Sequence, residues 1–265
     1  MRKILIFLLL VVLFALVSVG GVLAQPSQAI SLDNLVTAIN IGNIGPQNIL
    51  TQAILNAVKS GVPATTIVLL LLLPAVATFI AAARNIVGVR GFGIFLPAAL
   101  SVVFVAIGPI LGISLFLLIV TISTLVRVTL RKLKLRLQYL PRMSLILWFV
   151  VVGVLSVFFA LPVLNFPDIT QVSVFAVLIL ALLSEDFTRV QMGKSARTAI
   201  ELTGETLILA LISYLFLTFK SIQEIALLNP EAFLLSVFAI DLLLSRYSGL
   251  RLLEIWRFRK LIFLK

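Results

Sequence analysis

The chain contains no cysteine and no histidine in its 265 residues. Without cysteine there is no disulfide, no thiolate nucleophile or metal ligand, and no lipid-modified cysteine after a leader. Without histidine the usual general base and the commonest metal ligand are missing too. No metal and no cofactor is expected, and no catalytic constellation emerges from the residues that remain. Charge is also scarce. Charged residues make up 12% of the chain, against about 25% in an ordinary soluble domain. Acidic residues are the rarer sign, 10 against 21 basic, for a net charge of +11.

Apolar residues take the place of the missing charge. They reach 62% of the chain, with a mean hydropathy of +1.24. They fall in runs long enough to cross a bilayer, for which about 17–25 residues per helix suffice. The chain therefore reads as an all-α, polytopic integral membrane protein. Its basic residues flank apolar spans, where they set topology. They do not decorate an aromatic-rich soluble surface, so nucleic acid is not an expected partner.

The start, "MRKILIFLLLVVLFALVSVGGVLAQPSQA", has a basic n-region (Arg2, Lys3) and an apolar run from Ile4 to Val19. Val22 and Ala24 stand at the −3 and −1 positions of a cleavage site before Gln25. Residues 1–24 are thus a signal peptide or an uncleaved anchor, and either places Gln25 outside. Residues 25–63 form a short exocytoplasmic segment. Leu32, Leu35, Val36 and Ile39 follow helical spacing, and Ile54, Leu55 and Val58 suggest a second helix after Gly45-Pro46. These are expected to lie on the outer membrane surface or to form a partly ordered linker.

Seven spans are expected over residues 64–245, at 64–83, 92–107, 110–126, 143–161, 172–183, 199–219 and 232–245. A basic tail, 246–265, follows. Residues 92–126 could be one long helix or a hairpin turning at Gly108-Pro109. The hairpin puts 17 of the basic residues on the inner side, against Lys59 and Lys220 outside. The single helix would expose "RVTLRKLKLRLQYLPR" on the outer face, against the positive-inside rule. The hairpin prevails. The expected protein is a seven-helix bundle of a bacterial inner membrane, mature N-terminus outside and C-terminus cytoplasmic.

Polar chemistry then gathers on the cytoplasmic side. "ARNIVGVRGFGIFLP" (83–97) supplies Arg84, Asn85 and Arg90 between the first two spans. Its G-x-x-G-x-G spacing differs from the dinucleotide-binding fingerprint and follows an apolar helix instead of a strand, so the glycines read as a compact turn. Glu185 and Asp186 close the fifth span, Glu201 and Glu205 share one face at the start of the sixth, and Asp241 interrupts the seventh ahead of Arg246. Carboxylates at such positions should face the bundle, where one is protonated or cations meet them. Arg84, Arg90, Arg189, Lys194, Arg197 and Arg246 are the cations on that side. The group is either a polar pocket open to the cytoplasm or a set of salt bridges fixing helix ends. The loop 127–142 interleaves basic residues with leucines, and "RLLEIWRFRKLIFLK" repeats that composition, both suited to an anionic inner leaflet. Most span hydroxyls, among them Ser101, Ser114, Thr121, Ser123, Ser213 and Ser236, should bond to their own helix.

The stretches "RNIVGVRGFGIFLPAAL" (84–100), "LQYLPRMSLIL" (137–147), "LSEDFTR" (183–189) and "TAIELTGETLILALISYLFL" (198–217), with their order and intervals, carry a resemblance. The sequence resembles a bacterial family of seven-transmembrane modules usually fused to an inactive transglutaminase-like domain. The resemblance implies a seven-helix bundle with its extra domain outside, ahead of the first span. It also implies association, by gene neighbourhood, with ATP-grasp ligases that form amide bonds. Residues 25–63 are too short for a transglutaminase-like fold, so a separately encoded protein would have to supply it. Two functions follow as expectations. One is a non-enzymatic anchor, sensor or scaffold contacting a cytoplasmic partner such as the ligase. The other is a small secondary transporter or permease using its intramembrane carboxylates.

Overall fold

The computed structural model describes residues 49–133, 138–160, 173–191, 196–247 and 249. The leader, the amphipathic segment at 32–39, Lys194, Pro162 and the tail 251–265 lie outside them. Among the described residues the secondary structure is entirely helical. The helices are α1 (Ile49–Lys59), α2 (Ala64–Ala82), α3 (Phe95–Ile107), α4 (Pro109–Lys132), α5 (Tyr139–Ala160), α6 (Val174–Gln191), α7 (Ala196–Thr218), α8 (Lys220–Leu228) and α9 (Pro230–Arg246). Each of the seven expected spans falls on one of α2 to α7 or on α9.

Outward-facing side chains show what solvent these helices are built for. Phe159, Phe175, Leu235 and Leu243 are each at least 70% exposed. Water would penalise that surface, whereas lipid tails accept it. Among the described residues, four helical stretches can cross a bilayer by length and composition: Ala64–Val87, Pro109–Leu130, Tyr139–Ser156 and Thr198–Thr218. A fifth arises if α8 and α9, bent by 108° at Asn229, form one broken span. The 13-residue α3 would rise only about 20 Å, short of a 30 Å hydrocarbon core.

The chain divides into two compact units, Met1–Ile94 with Ile212–Lys265, and Phe95–Leu211. In the first, α2 packs against α8 and α9, and α1 packs on α9. Phe79 of α2 stacks on Phe216 near the end of α7, centroids 6.3 Å apart and planes 11° from parallel. Pro74 lies inside α2, where it deletes a helical hydrogen bond. In the second unit α4 packs against α3, α5 and α6, and α6 also meets α3 and α5. The helix break between α3 and α4 falls at Gly108, whose φ of +83° only glycine adopts without strain. The expected turn at Gly108-Pro109 is therefore where the chain breaks.

Three elements depart from the sequence expectation. Helix α6 continues beyond residue 183 to Gln191. The apolar run ends there, but the helix does not, because the following turns are amphipathic. Phe187 and Thr188 are buried, with Phe187 edge-on to Phe116 of α4 at 6.1 Å. Glu185 and Arg189 supply an i,i+4 pair on the other side. The second difference is α8, a helix in the interval between two expected spans, to which the sequence assigns no element. Its buried stripe of Gln223, Ala226 and Leu227 includes a polar residue, which hides the helical period. The Gln223 amide donates to the Leu217 carbonyl at 2.7 Å and so ties α8 back to the end of α7.

The third difference concerns α1. It is a helix, as Ile54, Leu55 and Val58 suggested, but it docks on protein, burying Thr51, Ile54 and Leu55. The Thr51 backbone N–H and hydroxyl donate to the two carboxylate oxygens of Glu231, each at 2.9 Å. Glu231 stands in the first turn of α9, behind Pro230 at its start, where a negative charge also complements the helix dipole. The half-buried pair of bonds should contribute about 1 kcal/mol after solvent screening. Glu231→Ala is expected to raise hydrogen exchange in α1 roughly five- to tenfold while leaving exchange in α4 and α5 unchanged. Unaltered α1 protection would contradict this clamp.

Candidate functional site

The first group of candidate residues is built on the end of α2. The helix widens there into a five-residue π-helical turn, Ala83–Val87, a rare conformation that recurs at functional sites. Gly88, with φ +95°, closes it by donating its N–H to the Ala83 carbonyl at 3.1 Å. The chain then curls so that Ala81, Arg84 and Asn85 face Val89, Arg90 and Ile94 across a cavity of about 260 Å³. Two cations and one amide line it, and among the described residues no carboxylate does. Arg84 is half-buried, while Asn85 and Arg90 are exposed. Arg90 has an interaction of its own. The Arg84 guanidinium has no hydrogen bond or ion pair among the described residues.

A second group forms where α5 begins and α6 ends. Arg189 pairs with Glu185, Nη2 to Oε1 at 2.9 Å, and with Asp186, Nη1 to Oδ1 at 3.6 Å. Its Nε donates to the Tyr139 hydroxyl at 3.0 Å, which joins α6 to the first turn of α5. The Tyr139 hydroxyl, and then Glu185, hold the Arg189 guanidinium above its ordinary pKa. Glu185 and Asp186 thus share one cation within their own helix, with Glu185 the closer partner. Tyr139 was not a candidate from the sequence. Its bond to Arg189 spans 50 positions, and no local spacing signals it.

The remaining candidates lie on α7 and α9. Glu201 and Glu205 are half-buried on α7, and each has an interaction of its own. Asp241 and Arg246 are exposed on α9 and have no ion pair among the described residues. Neither lines the cavity at the end of α2. Among the described residues no cluster of acidic side chains is placed to hold a metal ion.

Hydroxyls within the helices mostly bond to their own backbone. Ser101, Ser114, Thr121 and Ser236 each donate to a carbonyl three or four residues back. Ser123 does otherwise: its hydroxyl lies 3.3 Å from that of Thr188, which itself donates to the Ser184 carbonyl at 2.7 Å. All three are buried, a polar link between α4 and α6 where small hydroxyls let helices approach closely. Ser213 is fully buried, and its Oγ meets no partner.

No curated protein and no solved structure matches the chain. A family model does, over residues 50–262, and it describes seven transmembrane helices usually fused to an inactive transglutaminase. The match runs from α1 through α9 and across both units. The chain belongs to this family of seven-transmembrane-helix proteins.

Proposed function

We propose that this chain is a non-enzymatic membrane module that holds partner proteins at a bacterial inner membrane, its mature N-terminus outside and its C-terminus in the cytoplasm. One observation carries the proposal. The family pairs its membrane helices with a transglutaminase that is inactive. A catalytically inert domain joined to a membrane bundle serves binding more readily than turnover. In this reading the outer side receives a transglutaminase-like protein. The basic segment 127–142 and the basic tail offer the inner side to an acidic surface on a soluble partner, an ATP-grasp amide ligase. Attraction of this kind weakens as salt rises. Affinity purification of the full chain from its native host, in mild detergent at low salt, should retain such a ligase and lose it at high salt. Recovery of no specific cytoplasmic protein at any ionic strength would count against the proposal.

The bend between α8 and α9 supports a second reading, a small secondary transporter. Broken helices at membrane depth line substrate paths in such proteins, and α9 carries the exposed Asp241. In proteoliposomes this reading predicts solute or proton flux that Asp241→Asn and Glu201→Gln each abolish. Flux insensitive to both substitutions, or none across a broad panel of solutes, would dismiss it.

A further inference from the structure

The cavity at the end of α2 combines three properties: an arginine, Arg84, with no partner among the described residues, an apolar rim, and a depth set by the length of the helix. Arg84 is half-buried, with no hydrogen bond or ion pair to its guanidinium among the described residues. Arg90, which has an interaction of its own, and Asn85 line the same space, and among the described residues no carboxylate lines it. Ile94, another lining residue, is 41% exposed, and Val87 on the π-helical turn is 37% exposed. A site for a freely dissolved anion has no use for such a rim.

Depth follows from helix geometry. From Ala64 to Arg84 the chain climbs about 20 residues, roughly 30 Å at 1.5 Å per residue, which equals the thickness of a hydrocarbon core. With α2 across the bilayer, the guanidinium stands level with the lipid phosphates, and Ile94 and Val87 face the first methylenes of the acyl chains. A cavity of about 260 Å³ is ample beside the roughly 30 Å³ of one water molecule. The planar Arg84 fork suits two oxygens of one phosphate, and the Asn85 amide can donate to a third.

We propose that this cavity binds the phosphate group of an anionic membrane lipid. The glycines act indirectly. Gly88 and Gly93, both at positive φ, shape the turn that brings Arg90 and Ile94 opposite the helix end. The site holds whichever leaflet the turn faces and whichever partner the module serves, so it stands apart from the function proposed above.

Native mass spectrometry of the full chain, released from detergent with phosphatidylglycerol, phosphatidylcholine or inorganic phosphate alone, tests the proposal. Phosphatidylglycerol should be retained most strongly. Arg84→Gln should lower its retention on the order of tenfold, the loss expected for a charge-assisted bond, and Arg84→Lys should restore part of it. Arg246→Gln, on an exposed arginine outside the cavity, should leave retention unchanged. Equal losses for Arg84→Gln and Arg246→Gln would mean diffuse attraction and overturn the site. Displacement of the lipid by inorganic phosphate would overturn the lipid as its ligand. If Arg84→Gln does not fold, Asn85→Ala at the exposed position reads the same cavity. A several-fold loss there supports the site, and undiminished retention overturns it.

Discussion

Inside a bilayer no water is available to satisfy a backbone N–H or C=O, so each must be paired within its own segment. That constraint orders the rest of this molecule. It selects helices over strands, and it lets large side chains such as Phe159 and Phe175 point outward. It also limits breaks to places with a substitute partner. At the α7–α8 break, Gln223 supplies one by reaching the Leu217 carbonyl. At the start of α1, Glu231 supplies another by accepting from both the amide and the hydroxyl of Thr51. At the end of α2 the wide turn closes on itself through Gly88 and Ala83.

The same constraint sorts the charged residues. A carboxylate near lipid is costly unless a cation meets it, and Glu185 and Asp186 have Arg189 within their own helix. A cation at a helix end is less constrained, because lipid phosphates and water lie within its reach. Arg84 stands at such an end, where α2 passes into its π-helical turn. The candidate residues therefore differ in their surroundings. Arg189 is consumed in an ion-pair cluster, while Arg84 lines a cavity.

Much of the architecture was legible because apolar runs and punctuating residues are local signals. Gly108-Pro109 marked the α3–α4 break, and the arginine-rich stretch at 84–90 marked the end of α2. Family membership was legible in four stretches that need no long-range contact to recognise. What stayed hidden depends on pairs distant in sequence or on helices whose period is masked. Nothing near Tyr139 signals Arg189, and nothing near Thr51 signals Glu231. The extension of α6 was hidden because the charges of "SEDFTR" end the apolar run while Phe187 and Thr188 continue its buried face. Helix α8 was hidden because a glutamine occupies its stripe.

The topology proposed for this membrane protein puts Lys59 and Lys220 outside and Asn85 and Arg246 inside. Because the chain has no native cysteine, single cysteines can be introduced at Lys59, Asn85, Lys220 and Arg246 without background. Labelling intact cells with a membrane-impermeant maleimide is the most direct measurement. The account predicts modification at positions 59 and 220 from outside, and at 85 and 246 only after permeabilisation. Labelling of positions 220 and 246 from the same side would contradict it.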